Sequence, residues 1–230
     1  PASEIRSMEE LKRGIYVKIA KKSGEFLEPD DLMLAMPCLP GQFSAAELDD
    51  VIGMPVSHHG IAALMPVMKM AGGTVPPEIR IGSIVEQTRR MLAGAKIALP
   101  QGTAAEISHQ YGLDAFERYG AVIVDIVNRE YCKKLILQLP GQQHPNHKHS
   151  QKEETFQVLT GELEASIDGK VMLLKAGDSV TIPRGTVHAF QTRTGMIVEE
   201  VSTTHIKGDS IYEDETIAAD PSTRKTPVVL

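Results

Sequence analysis

Two groups of residues in the last third of the chain have the types and spacing of a metal site. The first reads Gly141-x5-His147-x-His149-x4-Glu154-x6-Gly161, the second Gly177-x5-Pro183-x-Gly185-x2-His188. Two residues separated by one position on a strand point to the same face, so His147 and His149 project together. The carboxylate comes from Glu153 or Glu154, and parity chooses. Glu154 shares a face with Phe156 and Val158, which read as inward, whereas Glu153 shares one with Thr155 and Gln157. His188 arrives from a distant strand, set by the tight turn Pro183-Arg184-Gly185. Three neutral imidazoles and a carboxylate can hold one divalent ion of Zn, Mn, Fe, Co or Ni, with a position or two left for water or substrate. His144, before Pro145 and of opposite parity to His147, reads as a loop residue and not a ligand. His58 and His59, beside Gly60, read the same way. The four methionines between Met54 and Met70 read as core filling.

These groups need short strands to hold them, and from Ala121 onward the chain supplies them. Segments rich in Val, Ile, Leu and Thr run over about 121–127, 133–139, 154–159, 161–167, 171–175, 179–182, 187–191 and 196–202, separated by Gly, Pro or Asp. That spacing predicts an all-β sandwich or barrel. Asp168-Gly169 is a two-residue hairpin signal. The polar tail after His205 has no clear period and is expected to wrap the barrel or cross to a neighbouring subunit.

The first seventy residues read as a small mixed α/β unit. Ile15 to Ala20 alternates as a strand. Pro29-Asp30-Asp31-Leu32 suits a first helical turn. Ser44-Ala45-Ala46-Glu47 is a capping box, with Gly53 as the stop. Ala71 to Pro77 is the linker signal, and Ser83-Ile84-Val85-Glu86 predicts a second helix opening at Ser83 and stopped by Gly94. Leu113 to Tyr119 reads as one or two helical turns closed by Gly120. The expected organisation is 1–70, 71–120 with helices, 121–205 as the barrel and 206–230 as a tail.

The net charge of −6 gives a nucleic-acid role no electrostatic support. No apolar run approaches membrane-spanning length. Two cysteines, Cys38 and Cys132, lie far apart and outside any paired motif, the usage of a reduced, cytoplasmic protein.

The two histidine motifs resemble those of the cupin superfamily, which implies a double-stranded β-helix barrel over about residues 121–205 and a metal on His147, His149, Glu154 and His188. That family often has Asn four residues after the last histidine, where this chain has Thr192. The words around the motifs, among them Asn128 to Lys134, Leu139-Pro140-Gly141-Gln142, Glu153-Glu154-Thr155-Phe156, Glu199 to His205 and Arg224-Lys225-Thr226, resemble the cupin extension of bacterial N-acetylneuraminate (sialic acid) synthase-like proteins. Arg6-Ser7, Lys22 to Glu25, Pro29 to Leu32 and Ala46 to Gly53 are similar to the SAF, or antifreeze-like, domain that precedes that extension. The resemblance implies a mainly β chain, with a small α/β SAF-like domain before the cupin barrel.

The expectation is therefore a metal-binding accessory module of the nonulosonic-acid pathway, unable by itself to make sialic acid because the condensing barrel is missing. Its ligand is expected to be a sugar or carboxylate, contacted by Lys152, Arg184, Glu200 and His205, and its assembly a homodimer. The alternative is a stand-alone metal-dependent enzyme, a sugar isomerase or epimerase or a dioxygenase. Glu199, Glu200, His205 and Tyr131 are then the proton-transfer candidates; Glu200, in phase with Met196 and Val198, is the inward member of its pair.

Overall fold

The computed structural model describes residues 11–56, 60–69, 77–217 and 220–230. His58, His59, Arg6-Ser7 and nearly all of the expected linker lie outside the described residues. The chain divides into two compact units, Pro1–Glu86 and Gln87–Leu230.

In the first unit, β1 (Gly14–Val17) pairs antiparallel with β2 (Leu32–Ala35). Pro29 opens a 3-10 turn over Pro29–Asp31. The capping box forms: the Ser44 N–H and hydroxyl both donate to Glu47 Oε2, at 2.9 and 2.8 Å. It starts a 3-10 turn that continues into α1 (Leu48–Val51). Ile15, Val17, Leu27, Leu32, Val51, Val56 and Val67 form the core. Beyond the two-strand pair, the backbone is tied by isolated bridges such as Tyr16↔Pro66. The expected SAF-like α/β domain is corrected to this description. Its signal lay in cap and turn words, which serve any short helical turn and do not specify a domain.

The helix α2 (Pro77–Gly94) begins six residues before the expected Ser83. Pro77 is preset for a first helical position, so the earlier start prevails. Ser83 is interior, and its hydroxyl donates to the Ala63 carbonyl at 2.8 Å. No helix among the described residues is long and apolar enough to cross a membrane.

The second unit is built of antiparallel strands: β3 (Ala104–His109), β4 (Gly120–Asn128), β5 (Tyr131–Gln138), β6 (Gln143–His149), β7 (Glu154–Ile167), β8 (Lys170–Lys175), β9 (Ser179–Ile182), β10 (His188–Gln191), β11 (Met196–Thr203), β12 (Ser210–Tyr212) and β13 (Lys225–Val229). They form one curled sheet in the order β12-β6-β10-β7-β11-β5-β4-β3-β13, with β8 and β9 also on β7. The tail residues thus supply β12 and β13, which close the two ends of this order against β6 and β3.

The strand β7 carries the curl. The sequence reads it as two strands parted by Gly161, but it is one strand of 14 residues. Its first half pairs with β9 and β11, its second half with β8 and β10. Gly161 has φ +79°, and a Cβ there would meet the Gly195 carbonyl oxygen at 2.0 Å. Only glycine allows that approach, so the strand can turn from one half of the barrel to the other. Asp168 and Gly169, at φ +46° and +75°, form the two-residue hairpin to β8. Phe156, Val158, Leu163, Phe190, Met196 and Val198 fill the centre with their neighbours.

Candidate metal centre

Three strands bring the predicted ligands to one place. The strand β6 carries His147 and His149, β7 opens with Glu154, and β10 opens with His188, whose Cα partner in register is His147. One ligand atom from each of the four lies within 4.8 Å of the others, and all four residues are buried. Glu153, rejected on parity, is exposed.

The imidazoles are oriented by their own strands. His147 Nδ1 lies 3.0 Å from the Pro145 carbonyl oxygen and His188 Nδ1 lies 3.0 Å from that of Thr186. A carbonyl oxygen can only accept, so Nδ1 carries the proton in both rings. In the neutral ring Nε2 is then a bare lone pair, the form a metal takes. His149 turns Nδ1 toward Asp209, 3.8 Å from Oδ2. Asp209 is itself fixed by the Ser150 hydroxyl at 2.6 Å and by the Ser150, Gln151 and Lys152 N–H groups.

The electrostatics favour neutral rings beside a charged carboxylate. Burial pushes His149 down to about 4 and His147 well below the usual imidazole range. Burial alone would raise Glu154, but the ammonium of Lys152, together with His188 and His149, outweighs it and holds the carboxyl well below its ordinary value. Lys152 bonds to Glu154 Oε2 and, at 2.9 Å, to Glu200 Oε1. His188 Nε2 and Glu154 Oε1 are buried without a hydrogen-bond partner. Those orphaned acceptors around one point fit a divalent cation.

His144 is not the loop residue expected. It lies in β6, buried, stacked on Phe190 with ring centroids 4.7 Å apart. The register explains it. His188 faces His147 and Phe190 faces His144, so two steps on β10 match three on β6. The bulge turns both His144 and His147 inward despite their opposite parity.

A cavity of about 80 Å³ opens beside the quartet. Of the expected ligand contacts, Lys152, Glu200 and His205 line it, while Arg184 is exposed and does not. Glu200 lies on β11 with Met196 and Val198 facing the interior. Glu199 points away and pairs with Lys133 at 2.7 Å, and Tyr131 is exposed. Sequence reasoning missed Tyr212 and Arg224, contributed by the tail. The Arg224-Lys225-Thr226 word marked the place without revealing a role.

The comparisons agree with this geometry in one respect at once. Residues 135–204 match the family described as Cupin domain. This part of the chain is a cupin domain. The chain is similar to a D-lyxose ketol-isomerase of Thermofilum sp. (strain ex4484_79), 28% identical over 175 residues, covering 63% of this chain and 94% of that protein. A D-lyxose/D-mannose isomerase of Thermosediminibacter oceani is 26% identical over 172 residues, covering 62% of this chain and 95% of that protein. Among solved structures, a Cellulomonas parahominis L-ribose isomerase with L-psicose superposes with a TM-score of 0.53 at 17% identity, covering 63% of this chain and 94% of that one. The expected accessory role in a sialic acid synthase-like protein is corrected by these findings. The two named relatives, aligned over nearly their whole length, are sugar isomerases. The synthase reading rested on short words around the cupin motifs, and Leu139-Pro140-Gly141-Gln142 and Glu153-Glu154-Thr155-Phe156 lie within the matched cupin residues.

Proposed function

We propose that this chain is a stand-alone, metal-dependent aldose–ketose isomerase acting on a small sugar. The observation that carries the reading is the placement of Glu200. A buried carboxylate faces the same small polar cavity as the His147–His149–Glu154–His188 quartet, and one of its oxygens is already fixed. Glu200 Oε1 accepts from Lys152 Nζ and from the Ser202 hydroxyl, both at 2.9 Å. The similarity to D-lyxose and D-mannose isomerases supports the same reaction class.

The quartet would hold the divalent ion, which when bound polarises sugar oxygens as a Lewis acid. Isomerisation then needs only proton movement. The C2–H bond of the open-chain aldose breaks and a C1–H bond forms, while the hydroxyl proton at O2 passes to O1. Glu200 takes the proton from C2 and returns it at C1. Lys152 and Ser202 keep Oε1 in place, so the other oxygen is the one offered to the substrate. Phe156 and Phe190 line the same cavity and limit water at the reacting carbons.

The two cysteines are free thiols, which suits a cytoplasmic setting. The strands β12 and β13 each pair on one side only among the described residues, and a homodimer that covers such an edge belongs to this reading.

The test is turnover. Metal-free protein reconstituted separately with Mn, Co, Ni, Zn or Fe(II) is offered D-lyxose, D-mannose and L-ribose in deuterated water. Ketose formation with deuterium entering at C1 or C2 supports the proposal. Binding of sugar without any exchange under every metal would overturn it.

A further inference from the structure

The cavity holds more positive charge than the proposed chemistry uses. Lys134, Lys152, Lys207, Arg224 and Lys225 line it. Against them stand the carboxylates of Glu154 and Glu200, both already engaged by Lys152. Lys134 is 5% exposed, yet its carboxylate partner Asp125 lies largely in solvent, 3.0 Å away. Lys225 is paired with Glu106 at 2.6 Å.

Arg224 has no such partner. It is 5% exposed, its Nε is buried without a hydrogen bond, and no ion pair reaches it among the described residues. Its guanidinium stacks over the Tyr212 ring at 4.8 Å. A buried guanidinium whose charge is met only at a distance, by the exposed Asp220, is costly, and a planar fork of donors matches a carboxylate or phosphate. The other side chains feel the same field. Burial, with the charges of Lys134, Lys152 and Lys225, pushes His205 down to about 4.

The spacing suits a sugar with a charged end. Tyr212 touches both sites, with Arg224 at 4.8 Å and the His147 ring at 5.4 Å. Together those distances cap the separation of guanidinium and His147 at about 10 Å. An open chain of five or six carbons ending in a carboxylate or phosphate spans about 7–9 Å at ordinary bond lengths of about 1.5 Å.

We infer that the natural ligand of this cavity is an acidic sugar, with its anionic group on Arg224 and Lys134 and its carbonyl end at the quartet. This rests on the proposed function only for the sugar itself. The neutral sugars named for the relatives would then be weaker ligands here than their acidic counterparts.

The experiment is calorimetric binding of D-mannose, D-mannuronate and D-mannose 6-phosphate to the metal-loaded protein. The two acidic probes separate carboxylate from phosphate. At least one is expected to bind about tenfold or more tighter than D-mannose. Arg224→Met is expected to remove that preference, bringing the acidic probe to no better than D-mannose with the same variant, and Arg224→Lys to keep part of it. Should Arg224→Met fail to fold, the exposed Lys207→Ala variant and raising the salt from about 50 to about 500 mM must each weaken the acidic probe selectively. Equal or tighter binding of D-mannose, no binding of any probe, or a preference unchanged by these variants and by salt overturns the inference. The outcomes stay separable from the isomerase reading. An acidic-sugar preference without turnover sinks only the isomerase, and turnover of neutral sugar without the preference sinks only this inference.

Discussion

Nε2 of His188 and Oε1 of Glu154 lie 2.8 Å apart in the barrel, both buried, and no hydrogen bond joins them. With Nδ1 of His188 donating to the Thr186 carbonyl, the two facing atoms are both acceptors unless something positive lies between them. A divalent cation resolves the conflict and would be drawn to the two remaining imidazoles as well. Purified protein is therefore expected to carry about one divalent ion per chain by elemental analysis. The His147→Ala, His149→Ala double variant should carry none. A wild type that takes up none of Zn, Mn, Fe, Co or Ni would end the metal reading.

Glu200→Gln keeps the size and the acceptor facing Ser202 but cannot take a proton. Its expected effect is a fall in kcat of about 10²–10⁴ with metal content unchanged. Measuring both on one preparation matters, because loss of metal would give the same inactivity for another reason. A variant with wild-type deuterium exchange would move the proton-transfer role elsewhere, His205 being the remaining predicted candidate that lines the cavity.

Among the described residues Lys152 is the only lysine or arginine bonded to Glu154 and Glu200, and it is 4% exposed. Burial alone would lower its pKa, but the two carboxylates outweigh that and raise it, so it is charged at neutral pH. Lys152→Met leaves two buried carboxylates near one another, and the metal-free protein should lose about 3–5 kcal/mol in urea unfolding. Added Mn or Zn should restore part of the loss, since the ion supplies the missing positive charge. An equal loss with and without metal would show that Lys152 acts on packing alone.

Gly161→Ala tests the bend rather than the chemistry. The new Cβ would lie 2.0 Å from the Gly195 oxygen at a φ of +79°. Backbone faces the clash, so no side chain can swing away. A loss above about 2 kcal/mol is expected, from the strained φ and the displaced β7–β11 contact together. A urea midpoint within error of wild type would show that β7 can cross between the halves without glycine.

The sequence could disclose the quartet because each ligand sits beside a turn or an alternating pattern. Parity separated Glu154 from Glu153, and it placed Glu200 with Met196 and Val198 on one face. The same rule misled at His144, since a bulge against β10 breaks the period between it and His147, and bulges leave no mark in alternation. The strand β6 itself, Gln-His-Pro-Asn-His-Lys-His, was missing from the aliphatic segments because its inward positions are imidazoles. The strands β12 and β13 were hidden by their shortness, and β13 by Pro227, which an edge strand tolerates. Arg224 and Tyr212 owe their places to those two pairings, so nothing local could have joined them to the histidines of β6. In the first unit only the SAF-like assignment failed, because cap and turn signals fix a helix start and say little about which domain contains it.

The buried imidazoles give the metal-free protein a pH dependence whose sign is fixed. Burial pushes His144 down to about 3 and His147 well below the ordinary imidazole value of 6.5. In the unfolded chain both rings titrate near about 6.5. Above that pH both states hold them neutral, so their contribution is complete and flat. Below it the unfolded chain binds protons that the folded chain refuses, and stability falls as pH drops toward the folded values. Each fully buried ring contributes about 1 kcal/mol or slightly more per pH unit in that window. Glu154 adds nothing there, since its folded value is depressed and its stabilisation is lost only at lower pH. Urea midpoints in EDTA should be level between about pH 8 and pH 7 and should decline steadily from about pH 6.5 to pH 5. His144→Gln should make the decline shallower by one ring's share. A level midpoint down to about pH 5 would mean that these rings take up protons inside the barrel, and neutral imidazoles could then no longer be invoked to hold the ion.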